Sequence, residues 1–354
     1  MQHSYKVKIK DIQRETEDCV SVAFEIPDDL KSSFIYKQGQ YITLIKQIGD
    51  EEIHRSYSLC SSPHENEWRV AIKKVALGKF STFANETLQV GDDIELMVPN
   101  GKFFTELLPE NTKSYLFFAA GSGITPIISN IKSILLNEPF SQVQLIYGTP
   151  RTDHIIFKEQ LLGLKNLYLA RLHLHFILSR EITDEPLFHG RIDADKLMRF
   201  EKKLFHLDRV DEIFICGPES MIFDLKNTFI GLGFPEKHIH FELFGTTSPP
   251  EKIEISQKLT GHSCSVTLKL DGRTISFKLP YGTDSILDAA LKQRANLPFA
   301  CKGGVCSTCK ARLIQGEVKM ARNYALEQDE LDAGYILTCQ SFPISDEVNI
   351  DFDQ

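Results

Sequence analysis

Four of the chain's eight cysteines crowd one end, and their spacing is that of a metal-cluster site. Cys301, Cys306 and Cys309 fall in the run Cys301-Lys302-Gly303-Gly304-Val305-Cys306-Ser307-Thr308-Cys309, and Cys339 stands alone downstream. C-x4-C-x2-C followed by a distant fourth cysteine is a spacing that holds a [2Fe–2S] cluster through four thiolates. Gly303 and Gly304 let the backbone fold over the sulfurs and aim N–H groups at them. A structural zinc site would pair cysteines as short hairpins on both halves. No Cys-x-His pair lies nearby, which excludes a Rieske centre. Cys19, Cys60 and Cys264 read as core residues; Cys216 ends an apolar run, where a plain buried role and a functional one weigh equally.

Two glycine-bearing turns and one strand end offer chemistry of another kind. Gly121-Ser122-Gly123-Ile124-Thr125-Pro126 follows an apolar run and opens a helical pattern. Glycines there permit a tight turn and close approach of a diphosphate, whose charge the helix N-terminus favours. Pro126 suits a first helical turn, where no N–H is needed. Gly78-Lys79-Phe80-Ser81-Thr82 is a second candidate phosphate cradle. In Arg55-Ser56-Tyr57-Ser58, the Arg can pair with a phosphate and the Tyr can stack on a planar ring. Taken alone, an Arg and a Tyr on a strand are more often surface residues.

The elements that must position these residues fall into three segments. Short alternating runs at residues 5–10, 20–25, 41–45, 54–58 and 68–74, punctuated by Gly and Pro, predict an antiparallel β-barrel or sandwich. A short helix is expected at 81–86. The period then changes: an apolar strand at 115–120 precedes Ile124, Ile127, Ile128, Ile131, Ile134 and Leu135 at helical spacing. Strands at 143–147, 172–178, 213–216 and 239–244 alternate with helices at 157–164, 194–204 and 220–232. That alternation predicts an α/β doubly wound parallel sheet whose ligands bind beyond the carboxyl ends of the strands. Ser179 and Arg180 fall at one such end. Thr246-Thr247-Ser248-Pro249-Pro250 reads as a linker. Beyond it, Asp271-Gly272 predicts a hairpin turn, and Ser285-Ile286-Leu287-Asp288 a capping box opening a helix. The expected domains are 1–108, 109–247 and 251–354, the last a small α+β unit.

Composition narrows the class. With 42% hydrophobic and 25% charged residues the chain is of globular type. A net charge of -8 argues against nucleic acid as a partner. No apolar run approaches the ~20 residues a bilayer demands, so no membrane association is expected. With no signal-peptide pattern at the start, a reducing cytoplasmic setting is the expectation. The eleven histidines form no ligand-spaced group.

Together these motifs resemble the ferredoxin-NADP reductase superfamily, and the resemblance covers nearly the whole chain. The superfamily's flavin motif appears as Arg55 to Ser58, its pyrophosphate motif at Gly78 and Ser81, its pyridine-nucleotide motif at Gly121 to Pro126, and its Cys-Gly-Pro motif at Cys216-Gly217-Pro218. The domain order, ending in a plant-type ferredoxin, is similar to reductase subunits that serve phenylacetyl-CoA epoxidases. Residues 284–309 and 331–340 and the run Phe188-His189-Gly190-Arg191-Ile192-Asp193 carry that closer likeness. One departure stands out: the family places Asn-Arg after Tyr-Gly, whereas Tyr147-Gly148 is followed here by Thr149, Pro150 and Arg151.

The resemblance implies an antiparallel β-barrel FAD domain, a nucleotide domain and a β-grasp ferredoxin domain. Arg55, Ser56, Tyr57, Ser58, Ile72, Lys73, Gly78, Phe80, Ser81 and Thr82 would hold FAD, with Tyr57 flanking the isoalloxazine. Gly121, Ser122, Gly123, Thr125, Pro126, Cys216, Gly217 and Pro218 would hold the nucleotide, with Cys216 and Tyr57 nearest the chemistry. Phe244, taken as part of the last strand, would shield the flavin or simply fill the core. Ser179 and Arg180 would favour NADPH over NADH. Electrons are expected to pass from NADPH through FAD and the cluster to an oxygenase, foremost a di-iron phenylacetyl-CoA epoxidase, with a Rieske-type ring or steroid hydroxylase as the alternative. A redox sensor, or a carrier whose flavin and nucleotide sites have decayed, remains open from another class. Glu327, Asp329, Glu330 and Asp332 form either a docking face or an ordinary solvated surface.

Overall fold

A computed structural model describes residues 4–245 and 262–354; the expected linker at 246–250 lies outside the described residues. The described residues fall into two compact units: one is residues 4–53 and 57–244, with the parallel sheet and nearly all of the barrel, the other residues 54–56 together with the stretch from Gly245 onward.

The first unit begins with six antiparallel strands: β1 (Ser4–Thr16), β2 (Cys19–Glu25), β3 (Tyr41–Ile48), β4 (Glu51–Ser58), β5 (Trp68–Lys73) and β6 (Asp93–Met97). Their order is β4-β3-β6-β1-β2-β5, and a bridge between Leu59 and Val70 joins the two ends into a barrel. Alternate residues such as Val20, Val22 and Phe24 fill its interior together with Ile42, Leu44, Val70 and Ile72. Helix α1 (Lys79–Glu86) lies against it through Phe80 and Ala84.

Five parallel strands follow in the order β11-β10-β7-β8-β9: β7 (Ser114–Ala120), β8 (Gln142–Thr149), β9 (Leu172–Leu178), β10 (Glu212–Cys216) and β11 (Ile239–Glu242). Helices α2 (Ile124–Asn137), α3 (Lys158–Leu167), α4 (Ala194–Lys203) and α5 (Glu219–Gly231) connect them. The chain walks outward from β7 to β9 and then returns to β10 on the other side of β7. That reversal is the topological switch point, where a crevice opens beyond the strand ends. Helix α2 is apolar toward the sheet and hydroxylic toward the barrel. Ser129 donates to the carbonyl of Ser61 at 2.6 Å, Ser133 meets Ser62 at 3.1 Å, and the Asn130 amide donates to the carbonyl of Phe103 at 3.0 Å. The first unit is thus held partly by buried polar groups that bond one another, though the Oδ1 of Asn130 finds no partner among the described residues.

The second unit is a mixed sheet, β13-β12-β18-β14-β16, from β12 (Ser263–Leu270), β13 (Arg273–Pro280), β14 (Lys310–Gln315), β16 (Tyr335–Leu337) and β18 (Glu347–Asp351). A separate pair joins β15 (Val318–Met320) and β17 (Ser341–Pro343). Strands β12 and β18 run parallel, and α6 (Ile286–Lys292) supplies Ile286, Leu287 and Ala290 to the core. The predicted hairpin is present: Asp271 and Gly272 both take positive φ, 53° and 69°, as a two-residue type I′ turn requires. Ser285 caps α6 by accepting from the Asp288 amide at 3.1 Å, but its hydroxyl also donates to Asp288 Oδ2 at 2.9 Å. The expected reciprocal box is not formed; Asp is one methylene shorter than the Glu that reaches back to the cap.

Candidate functional site

The glycine turn after β7 and the Cys-Gly-Pro turn after β10 meet at the switch point. Gly121 has φ +55°, and a short 3-10 turn over Gly121–Gly123 leads into α2 with no side chain capping the helix. A Cβ on Gly123 would stand 2.1 Å from the carbonyl oxygen of Cys216, and one on Gly217 would stand 2.5 Å from the Met221 methyl. A side chain at Gly123 would force the turns apart, because the atom it meets is backbone. Thr125 donates to the Ser122 carbonyl at 3.0 Å, and Pro126 sits in the first turn of α2. Tyr147, fully buried, donates its hydroxyl to the carbonyl of Gly121 at 2.9 Å and so props the turn from beneath. A glycine turn that accepts no side chain at Gly123 and an uncapped helix start fit a dinucleotide diphosphate.

At the barrel, β4 carries Arg55, Ser56, Tyr57 and Ser58 in its final residues. Arg55 is exposed, with its guanidinium on the carbonyl of His54 at 2.7 Å. The Tyr57 ring lies 5.7 Å from that of buried Phe80. Gly78 caps α1, and again no side chain satisfies the first amides of the helix. The hydroxyl of Ser81 is turned inward: it donates to the Gly78 carbonyl and accepts from the Val75 amide, both at 3.2 Å. Ser81 therefore shapes the turn, leaving backbone amides, with Thr82 beside them, for an anion. Ile72 is buried in β5, and Lys73 ends that strand 3.4 Å from Asp18.

Sequence reasoning missed a residue that joins the two halves of this unit. Glu242 ends β11 directly opposite Cys216 and accepts from the Ser58 hydroxyl at 2.8 Å. Burial pushes the Glu242 carboxyl up to about 7, against the opposing pull of the Ser58 hydrogen bond. Burial, and next the charge of Glu242, push the Cys216 thiol well up, so Cys216 stays a neutral, fully buried thiol. A lone acid in the apolar run Ile239-His240-Phe241-Glu242-Leu243-Phe244 was the one available signal. Phe244 needs a correction. The strand ends at Glu242, and Phe244 is 46% exposed rather than core. It lies past the last ladder pair of the sheet.

Ser179 and Arg180 extend the β8–β9 pairing beyond the strands, through Ser179 N–H to Thr149 at 3.0 Å and Arg180 N–H to Pro150 at 2.8 Å. The Arg180 side chain is exposed. Arg151 is paired with Asp153 at 2.9 Å.

In the second unit the four sulfurs of the cysteine loop converge. Cys306 Sγ lies 3.1 Å from Cys301 Sγ, and Cys339 interacts with both Cys301 and Cys309. Hydrogen bonds from Cys306 and Cys339, then from the amides of Gly303 and Val305, draw Cys301 toward the thiolate. The Gly303 amide reaches its sulfur at 3.3 Å. Gly304, at φ +75°, would meet Gln340 Cγ at 3.1 Å and the Arg322 carbonyl at 3.2 Å if it carried a Cβ. Gln340 donates to the Lys302 carbonyl at 2.8 Å and closes the loop at its base. Four thiols converging beneath inward-pointing amides fit a two-iron cluster. Among the described residues no group of three or more His, Cys, Asp or Glu is arranged to hold a single metal ion. The acidic stretch is less open than expected: Glu330 bonds Lys310 at 2.9 Å and caps α7 (Gln328–Asp332) together with Glu327.

Three family models match in the same order: an oxidoreductase FAD-binding domain over residues 6–105, an oxidoreductase NAD-binding domain over 117–227, and a 2Fe-2S iron-sulfur cluster binding domain over 268–343. The chain is 41% identical to one of the subunits of the 1,2-phenylacetyl-CoA epoxidase of Escherichia coli K12, over 99% of this chain and 98% of that one. It is 30% identical to the ferredoxin reductase component of a Rhodococcus rhodochrous 3-ketosteroid-9-alpha-monooxygenase, over 96% and 95%. A solved phthalate dioxygenase reductase shares the fold, with a TM-score of 0.59 at 22% identity, covering 99% of this chain and 98% of that one. No helix among the described residues is long and apolar enough to cross a membrane. The chain thus belongs to the ferredoxin-NADP reductase superfamily, as an oxidoreductase with FAD-binding, NAD-binding and C-terminal [2Fe–2S]-binding domains.

Proposed function

We propose that this chain is the reductase component of a multicomponent oxygenase, with NADPH as electron donor and a di-iron phenylacetyl-CoA epoxidase as acceptor. The observation that carries the reading is the convergence of Ser58, Cys216 and Glu242 beside a glycine turn that accepts no side chain at Gly123. When bound, FAD takes a hydride and yields electrons singly, and a [2Fe–2S] cluster carries one at a time.

The chain's own residues bind, orient and shield. Arg55 and the α1 amides hold the flavin diphosphate, and Tyr57, backed by Phe80, supports the ring. Gly121 to Pro126 and Gly217-Pro218 seat the nucleotide diphosphate. Cys216, a neutral buried thiol at the end of β10, backs the nicotinamide's place without adding charge, and Glu242 holds or releases a proton at the Ser58 hydroxyl. Cys301, Cys306, Cys309 and Cys339 hold the cluster. The working boundaries are 1–108, 109–247 and 251–354, and the setting is the cytoplasm.

The test is steady-state NADPH oxidation by the loaded protein with cytochrome c, then with purified oxygenase partners. Sustained turnover is expected; its absence favours a redox sensor. Coupling to a Rieske-type steroid hydroxylase, and none to a di-iron epoxidase, would replace the acceptor named here.

A further inference from the structure

The ends of β8 and β9 carry an acid that could oppose a phosphorylated nucleotide, Glu181, directly after Arg180. At such a strand end a carboxylate accepts from a free ribose 2′-hydroxyl, whereas a guanidinium accommodates a 2′-phosphate. Glu181 is committed elsewhere. Its Oε2 accepts from the Thr152 amide at 2.7 Å and its Oε1 from the Thr152 hydroxyl at 2.8 Å. These two bonds, the amide first, hold its carboxyl below the ordinary range. Nearby Arg151 is neutralised by Asp153 at 2.9 Å. Arg180 is then the exposed cation at this edge with no ion pair among the described residues.

We infer that Thr152 is a latch that turns Glu181 away from the ribose and thereby sets the preference for a 2′-phosphorylated nucleotide. The inference rests on the NADPH reading above. Thr152 directly follows the unusual Thr149-Pro150-Arg151 run, and it is a positioning residue acting through Glu181.

The local backbone allows a clean test. Thr152 is the first residue of a 3-10 turn, and Arg151 before it is extended at φ −150°, ψ 166°. Proline is accepted at such a position after such a residue. Thr152→Pro therefore removes both donors to Glu181 while suiting the turn. NADP+ and NAD+ are titrated calorimetrically into the flavin- and cluster-loaded protein. Wild type should bind NADP+ more tightly, and Thr152→Pro should cut that preference by about tenfold, the equivalent of one charge-assisted hydrogen bond. Thr152→Ser, which keeps both donors, should retain the wild-type ratio, and Thr152→Pro with Glu181→Gln should restore it. Should Thr152→Pro fail to fold, Thr152→Val removes the hydroxyl alone and should shift the ratio by about threefold. A wild type indifferent to the phosphate overturns the NADPH reading. A wild type that prefers NADP+ by a ratio these variants leave unmoved overturns the latch alone.

Discussion

The Ser58 hydroxyl donates to Glu242 across 2.8 Å, tying the last residue of a barrel strand to the last residue of the parallel sheet. Burial raises this carboxyl from its ordinary 4.5 to about 7. A raised acid keeps its proton in the fold after the unfolded chain has lost it, so its burial costs nothing below about pH 4.5. The cost grows as pH climbs toward 7 and is constant above. Glu242→Gln should therefore gain on wild type between pH 5 and 8, by roughly 1–3 kcal/mol. Thermal unfolding at several pH values measures this, and parallel curves for the two proteins would refute it. The variant should also lose any inflection near pH 7 in NADPH-dependent ferricyanide reduction.

Gly123→Ala tests the meeting of the two turns. The added methyl would lie 2.1 Å from the Cys216 carbonyl oxygen, a backbone atom that cannot swing away. The turns must part, and NADPH affinity should fall by at least about tenfold, the effect of losing one good hydrogen bond to a charged group. Iron content and the visible spectrum of the cluster should be unchanged. Normal NADPH binding by a folded Gly123→Ala protein would show that the turns do not form the seat.

For the cluster, Cys306→Ser should abolish iron and acid-labile sulfide, about two of each in the wild type. Flavin content and ferricyanide reduction should survive, because Cys306 lies outside the unit that carries Tyr57, α1 and the glycine turn after β7. Loss of flavin along with iron would contradict this independence.

Arg180→Ala addresses nucleotide choice directly. Removing the exposed guanidinium should weaken NADPH by roughly 10- to 150-fold, the range of a charge-assisted hydrogen bond. NADH should be nearly untouched. Equal losses with the two nucleotides would place Arg180 outside the phosphate contact.

What the sequence revealed was local. The cysteine loop, the Asp271-Gly272 turn and the strand–helix alternation each depend on neighbours within one element, and periodicity and turn chemistry read them directly. Strand β6 (Asp93–Met97), whose Asp93 and Glu95 interrupt a short apolar set, is not read as a strand. β1 runs to Thr16 because shifts in register after Ile9 and Arg14 break its alternation without ending it. Glu242 and Tyr147 were illegible for another reason: their partners, Ser58 and Gly121, are brought near only by the fold. Glu330 looked like open acidic surface until Lys310, on a different strand, neutralised it.

The placement of Glu242 also bears on biosynthesis. The chain grows from the amino end, so the barrel, both glycine turns and Cys216 are all made before β11, a four-residue edge strand. Until Ile239–Glu242 pairs with β10, Ser58 lacks its acceptor and Cys216 lacks its neighbour. A nascent protein is therefore assembled around a nucleotide crevice whose proton-holding group arrives last. A ribosome-stalled fragment ending before residue 239 would carry the turns and the barrel intact, yet lack the carboxyl at the junction between them.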